Sequence, residues 1–241
     1  MTLLTAFTLG ACMYCISPVS FIRNPLLWLA TISRVKAHIT AAPNFAYQLC
    51  VDKFKRQALP KDFSVASMRG WGNAAEPIRR DTLEKFSRLL SPYGFDEKTW
   101  LPCYGLAENV VRVCSQMEVT FSPIDDQCVS CGTDFEVDLR IVDPSTRQEC
   151  PDGVKGEIWV SCTSKPDGYW GQPALSIETF FAHLACDDDK PQSERLLFTR
   201  TGDKGYIIDG HLYFAGRIKD MIIIRGGACC ELLAVMQGDA C

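Results

Sequence analysis

The alternation of apolar and polar positions changes texture once along the chain. Over residues 25–37, Leu26, Leu27, Leu29, Ile32 and Val35 fall at spacings that let one face of a helix pack, with Pro25 where a first helical turn tolerates it. Residues 39–40 are briefly extended, Pro43 and Asn44 open a second helix over 45–54, residues 65–70 read as a strand, and residues 77–90 as a third helix. In that helix Asp81 and Glu84 come early and Lys85 and Arg88 late, in agreement with the helix dipole. Helices alternating with short apolar strands predict an α/β layer on a largely parallel sheet.

From about residue 135 the pattern becomes strand-like. Residues 135–142 and 156–161 are separated by Asp, Gly and Pro turns, as in an antiparallel sheet or small barrel, and residues 185–193 form a solvated loop. Residues 199–227, TRTGDKGYIIDGHLYFAGRIKDMIIIRGG, open on a tight Thr201-Gly202-Asp203 turn. Two apolar runs follow, 206–208 and 212–215, split by Asp209-Gly210, the strongest short-range hairpin signal. The predicted organisation is an α/β part over 1–134, a β-rich part of the same domain over 135–218, and a hinge with an atypical tail over 219–241.

Composition adds limits. The 241 residues are 47% hydrophobic and 22% charged, an ordinary globular balance, and the net charge of −4 comes without runs of like charge. Nucleic acid and anionic membranes are therefore not expected partners. Thirteen cysteines are scattered and odd in number. Cys12/Cys15 and Cys128/Cys131 have C-x-x-C spacing, but a zinc site needs four ligands at one point. Cys12 and Cys15 lie in an apolar run, where buried free thiols behave as small hydrophobes, and reduced thiols point to the cytoplasm. That run, residues 2–17, is too short to span a bilayer and has no cation before Arg23, so it reads as a buried helix entering a buried strand. His38, His183 and His211 show no acid–base partnership.

Four places could carry chemistry. A hairpin over 206–215 brings Asp203 towards Arg217, either as an ordinary surface ion pair or as a grip on a polyhydroxylated ligand, the carboxylate accepting and the guanidinium donating. In the segment PCYGLAE, Tyr104 offers a flat face, Gly105 permits close backbone approach, and Glu108 can hold a hard cation; the alternative is a core tyrosine with an exposed glutamate. The segment NAAEP, Asn73 to Pro77, lies between a strand and a helix, where α/β sheets bind nucleotides, and Pro77 also suits a helix N-terminus. In PNFAY, Phe45 and Tyr47 are either core aromatics or walls of an apolar tunnel.

These segments resemble those of the adenylate-forming (AMP-forming acyl ligase) superfamily: TGD, GRxKD, YGLAE, and a loop similar to the NGAEP of fatty acyl-AMP ligases, with Ala74 where that family has glycine. The likeness runs from about residue 3 to 227 in the family's motif order, and SPVSFIRNPLLWL, DPSTRQECPDGVKGEIWV and GYWGQPALSIETF extend it. The resemblance implies the C-terminal part of the large domain of an adenylate-forming enzyme, a parallel α/β layer followed by a β-rich subdomain. It implies that Asp203 and Arg217 hold the ribose, that Tyr104 and Gly105 meet adenine, and that Asn73, Ala75, Glu76 and Pro77 line it. Glu108 becomes the catalytic Mg²⁺ ligand, Lys219 the hinge, and Asn44 and Phe45 part of the acyl pocket.

The substrates so implied are ATP, with AMP carried in the adenylate, and a fatty acid. An acyl carrier protein or coenzyme A would be the acceptor. The distance from Glu108 to Cys131-Gly132 is short for the extra segment of fatty acyl-AMP ligases, which keeps a fatty acyl-CoA-type ligase in view. The family's phosphate loop is expected before Met1, and its lysine-bearing small domain after Gly227. On that expectation the chain is a fragment, inactive alone, with an exposed sheet edge or apolar face at its front. A non-catalytic AMP- or acyl-binding remnant and a thiol or zinc protein are the alternatives.

Overall fold

The computed structural model describes residues 6, 8–54, 59–135 and 137–218, and the backbone of 221–224 and 227–230. Chain order gives α1 (Pro18–Arg23), α2 (Leu26–Val35), β1 (Ile39–Ala42), α3 (Asn44–Phe54), β2 (Gly70–Asn73), α4 (Arg80–Leu90), β3 (Trp100–Tyr104), β4 (Cys114–Ser115) and β5 (Asp134–Phe135). It continues with β6 (Asp138–Asp143), β7 (Gln148–Glu149), β8 (Gly156–Ser161), α5 (Pro173–Phe180), β9 (Thr199–Ile208), β10 (His211–Arg217), β11 (Met221–Ile224) and β12 (Gly227–Cys230).

The first sheet has strand order β1-β2-β3-β4-β5. Its first three strands are parallel and joined through α3 and α4, whereas β4 and β5 return antiparallel. The second sheet, β10-β9-β8-β6-β7, is antiparallel throughout. The α/β layer and the β-rich part are thus both present, and Phe135 pairs in the first sheet while Asp138 opens the second.

One apolar core runs through both sheets, from Leu29 and Trp71 to Leu139, Ile158 and Leu212. Its centre is aromatic: Tyr47 meets Phe86 and Trp100 edge-on at 5.0 Å between centroids, and Trp71 meets Trp28 and Phe86 at 5.9 and 5.4 Å. Each such pair contributes about 1 kcal/mol beyond its buried area. The hairpin forms as predicted: Asp209 and Gly210 have φ of 50° and 77°, the two left-handed residues that a tight primed turn requires.

Three expectations fail locally. Residues 11–17 have no regular structure, and Leu9, Cys12, Met13, Tyr14 and Cys15 are exposed; only Ile16 of that stretch packs on the core. The strand predicted over 65–70 is a turn, with the Met68 amide bonded to the Val65 carbonyl and both side chains buried, and the strand follows at β2. A short apolar run fills a core equally well from a turn, so composition could not distinguish them. The helix predicted from Pro77 starts at Arg80, because Arg79 is extended and its amide is taken by the Asn44 side chain. No described helix is long and apolar enough to cross a membrane.

Candidate nucleotide site

Parallel strands present their carboxyl ends on one side of a sheet, and ligands of open α/β folds bind there. Asn44 just follows β1, Asn73 ends β2 and Tyr104 ends β3. These three predicted residues are therefore collected at one rim by topology.

Asp203 comes to this rim from the second sheet. It is 6% exposed and accepts a hydrogen bond from the Tyr104 hydroxyl at 2.9 Å, a contact spanning 99 residues of sequence. Arg217 stands directly across the β9–β10 ladder from Asp203, with Nε 3.2 Å from Oδ1. That contact is an ion pair, and among the described residues Oδ1 has no hydrogen-bond partner. Burial raises the Asp203 carboxyl pKa, more than the Tyr104 hydroxyl and Arg217 lower it, and the Glu108 carboxylate nearby adds to the rise. A buried acceptor with a vacant lone pair fits a hydroxyl donor. The predicted Thr201-Gly202-Asp203 turn is in fact a bulge inside β9, with Gly202 at φ 70°.

Tyr104 presents one ring face to Phe214, stacked at 5.8 Å, a neighbour the sequence did not single out. Gly105 is needed for a reason other than the predicted one. A Cβ there would sit 1.5 Å from the Val111 carbonyl oxygen, so glycine lets the chain cross itself. Glu108 lies in a single turn after β3 and accepts from the Tyr169 hydroxyl at 2.9 Å. Among the described residues no group of three His, Cys, Asp or Glu converges to hold a metal. Glu108 fits Mg²⁺ only as a single carboxylate, the usual economy where phosphates and water complete the shell.

The 73–77 loop is polar and braced. Asn73 is fully buried and donates to Asn44 Oδ1 at 3.3 Å, while its own Oδ1 lacks a partner among the described residues. Asn44 donates to Thr82 Oγ1 at 3.3 Å and accepts from the Arg79 amide at 3.2 Å, so its side chain ties β2 and α4 to the start of α3. Glu76 accepts from the Phe45 amide at the α3 N-terminus. Ala75, not Ala74, occupies the left-handed conformation, at φ 71°. Ala75 and Pro77 are exposed, as is Phe45 at 46%. Of the two readings open for Tyr47 the structure takes the core one: it is fully buried among the aromatics and donates to the Gly72 carbonyl at 2.6 Å. Lys219 lies outside the described residues.

The sequence reading also missed Glu157, buried in β8, which accepts from Trp159, Arg200 and the Gly202 amide. The carboxylate beside the apolar run IWV was its available signal, although in an antiparallel strand a charged residue more often faces water. The cysteine expectations divide. Cys131 is buried and its thiol pushed well up by burial, whereas Cys12 and Cys15 are exposed.

Comparison with known families decides what this rim belongs to. The model of the AMP-binding enzyme family matches residues 1–170. The chain belongs to that family. This AMP-binding chain is 35% identical over 238 residues to a medium-chain-fatty-acid–[acyl-carrier-protein] ligase of Moorena producens, covering 88% of the chain and 39% of that protein. It is 32% identical over 260 residues to a long-chain-fatty-acid–AMP ligase of Mycolicibacterium smegmatis, covering 93% and 41%. Among solved structures it superposes on a fatty acyl-adenylate ligase from L. pneumophila, in complex with acyl adenylate and pyrophosphate. There the TM-score is 0.75 at 32% identity, over 88% of this chain and 39% of that one. The chain thus spans about two fifths of the length of these relatives.

Proposed function

We propose that this AMP-binding chain supplies the adenosine-binding part of an enzyme that activates fatty acids. In the reaction a fatty carboxylate oxygen bonds to the α-phosphorus of ATP, the bond to the β-phosphate oxygen breaks, and acyl-AMP and pyrophosphate result. The observation that carries the reading is buried Asp203, held by Tyr104 and Arg217 with one oxygen left to accept. Asp203 accepts from the ribose hydroxyls and exposed Arg217 donates to them. Tyr104 and Gly105, with Asn73, Ala75, Glu76 and Pro77 across the rim, bound the adenine. Tyr169 orients Glu108, the proposed catalytic Mg²⁺ ligand; when bound, that ion would neutralise charge on the phosphates.

Phe45 lends an exposed ring to the acyl side, with Asn44 fixing the start of its helix. Lys219 remains the proposed hinge, and 1–134 with 135–218 the two parts of one domain. The acceptor is an acyl carrier protein or coenzyme A, the former supported by a relative that is itself a carrier-protein ligase. Cys12, Cys15, Cys50, Cys103 and Cys131 are free thiols, which supports a cytoplasmic setting. Calorimetric titration of the chain with AMP tests the reading. Binding is expected, with a loss of about tenfold or more in Asp203→Ala, because a hydrogen bond to a charged group disappears. A folded chain that ignores AMP, or an alanine variant that binds equally well, would sink it.

A further inference from the structure

Glu157 is a buried acidic side chain that accepts from Trp159, Arg200 and the Gly202 amide. It is 2% exposed within β8. Its Oε2 accepts from Trp159 Nε1 at 2.9 Å and from Arg200 Nε at 3.0 Å, with Arg200 Nη2 also at 3.0 Å. Its other oxygen, Oε1, is given to backbone: it accepts from the Gly202 amide at 3.1 Å. An ion pair alone would need only Arg200, and buried ion pairs are seldom worth their desolvation. The bond to Gly202 is the informative one.

It falls where the ladder is interrupted. Along β8 and β9, Glu157 pairs with Lys204 and Trp159 with Arg200, so residues 201–203 bulge opposite Ile158 alone. A bulge frees its residues from ladder bonds, and other groups must hold them. Here Thr201 Oγ1 donates to the Ile158 carbonyl at 2.7 Å and accepts from the Asp203 amide at 3.0 Å. Gly202 is held at both ends, its amide by Glu157 and its carbonyl by the Ile218 amide at 2.9 Å. Ile218 directly follows Arg217. The residue clamped by Glu157 therefore adjoins Asp203 along the chain and Arg217 through Ile218.

We propose that Glu157 is a positioning residue for ribose recognition: its buried carboxylate clamps the 201–203 bulge and so aims Asp203 and Arg217 at the sugar hydroxyls. The inference rests on the nucleotide reading above. It makes Glu157 distinct from a structural ion pair, because its effect must run through Asp203 and depend on the ribose hydroxyls.

The test uses the full chain with Glu157→Gln, Asp203→Asn and the double variant, titrated with AMP and with 2′,3′-dideoxy-AMP. Glutamine keeps the shape and one carbonyl acceptor, and circular dichroism checks that each variant is folded. Glu157→Gln is expected to weaken AMP binding about tenfold, leave the dideoxy analogue unaffected, and add nothing in the Asp203→Asn background. Equal losses for both nucleotides, or additive losses in the double variant, would overturn the proposal. Amide hydrogen exchange on the unliganded chain decides the positioning step without any nucleotide. Faster exchange confined to Gly202, Asp203 and Ile218 in Glu157→Gln supports the clamp, and unchanged exchange there overturns it. A wild-type chain that fails to bind AMP, yet shows that exchange change, defeats the nucleotide reading and with it the ribose role, while the clamp itself stands.

Discussion

Asp203 is subject to two opposed demands. Binding ribose needs an ionised acceptor, but burial raises its carboxyl pKa from the ordinary value despite Tyr104 and Arg217. The sign for stability follows. Well below pH 4, under the unfolded carboxyl's ordinary value, the group is protonated in folded and unfolded chains alike and exacts no penalty. As pH rises, the unfolded carboxyl ionises first, and stability is lost until the raised folded pKa is passed. Asp203→Asn escapes this. Its urea midpoint should match wild type well below pH 4 and exceed it at pH 7, although AMP binding is weakened; a lower midpoint at pH 7 would show that the ion pair with Arg217 outweighs burial. The same titration makes AMP binding by wild type weaken on acidification through the raised value.

The elements that form the rim are joined by short, conformationally demanding connections. The β2–α4 connection is fixed by Asn73, by the Glu76 contact to the start of α3, and by the Asn44 side chain, which takes the Arg79 amide. Against this bracing Ala75 sits at φ 71°, a conformation that costs a non-glycine residue about 1 kcal/mol. Ala75→Gly should therefore raise stability by up to about 1 kcal/mol, offset in part by the entropy glycine gains in the unfolded chain. Equilibrium unfolding in urea measures this, and a clear fall would mean that the Ala75 methyl makes a contact worth more than the strain. The β3–β4 connection solves a similar problem with the right residue: Gly105 has no Cβ to strike Val111.

At the scale of the whole molecule, β1 is an open edge of the first sheet among the described strands. β1 pairs with β2 on one side and with no other described strand, and Ile39 on it is 73% exposed. Val19, Ile22 and Tyr14 are exposed as well. A free strand edge with apolar side chains templates association. The chain should self-associate with rising concentration, and Ile39→Lys should shift sedimentation towards monomer without altering AMP binding. Sedimentation that does not depend on concentration in the wild type would remove this prediction.

How much of this was legible depends on range. The helices α2 and α3, the parallel layer and the Asp209-Gly210 hairpin are local patterns, and each was readable because spacing and turn chemistry act within a few residues. The motif order and the family likeness were also readable, and the structure brings Asn73, Tyr104 and Asp203 of those motifs to one rim. The strand placed at 65–70 and the buried strand placed within 2–17 were not readable, because a short apolar run says that it is hydrophobic and not what covers it. The sequence by itself determined the periodicities, the turns and the presence of Tyr104, Glu108, Asp203 and Arg217. Tertiary structure alone decided that Tyr104 and Asp203 share a hydrogen bond, that Tyr47 turns into the core, and that Glu157 holds the Gly202 amide. Those are contacts between distant segments, fixed by how two sheets pack on one core, and no local pattern encodes them.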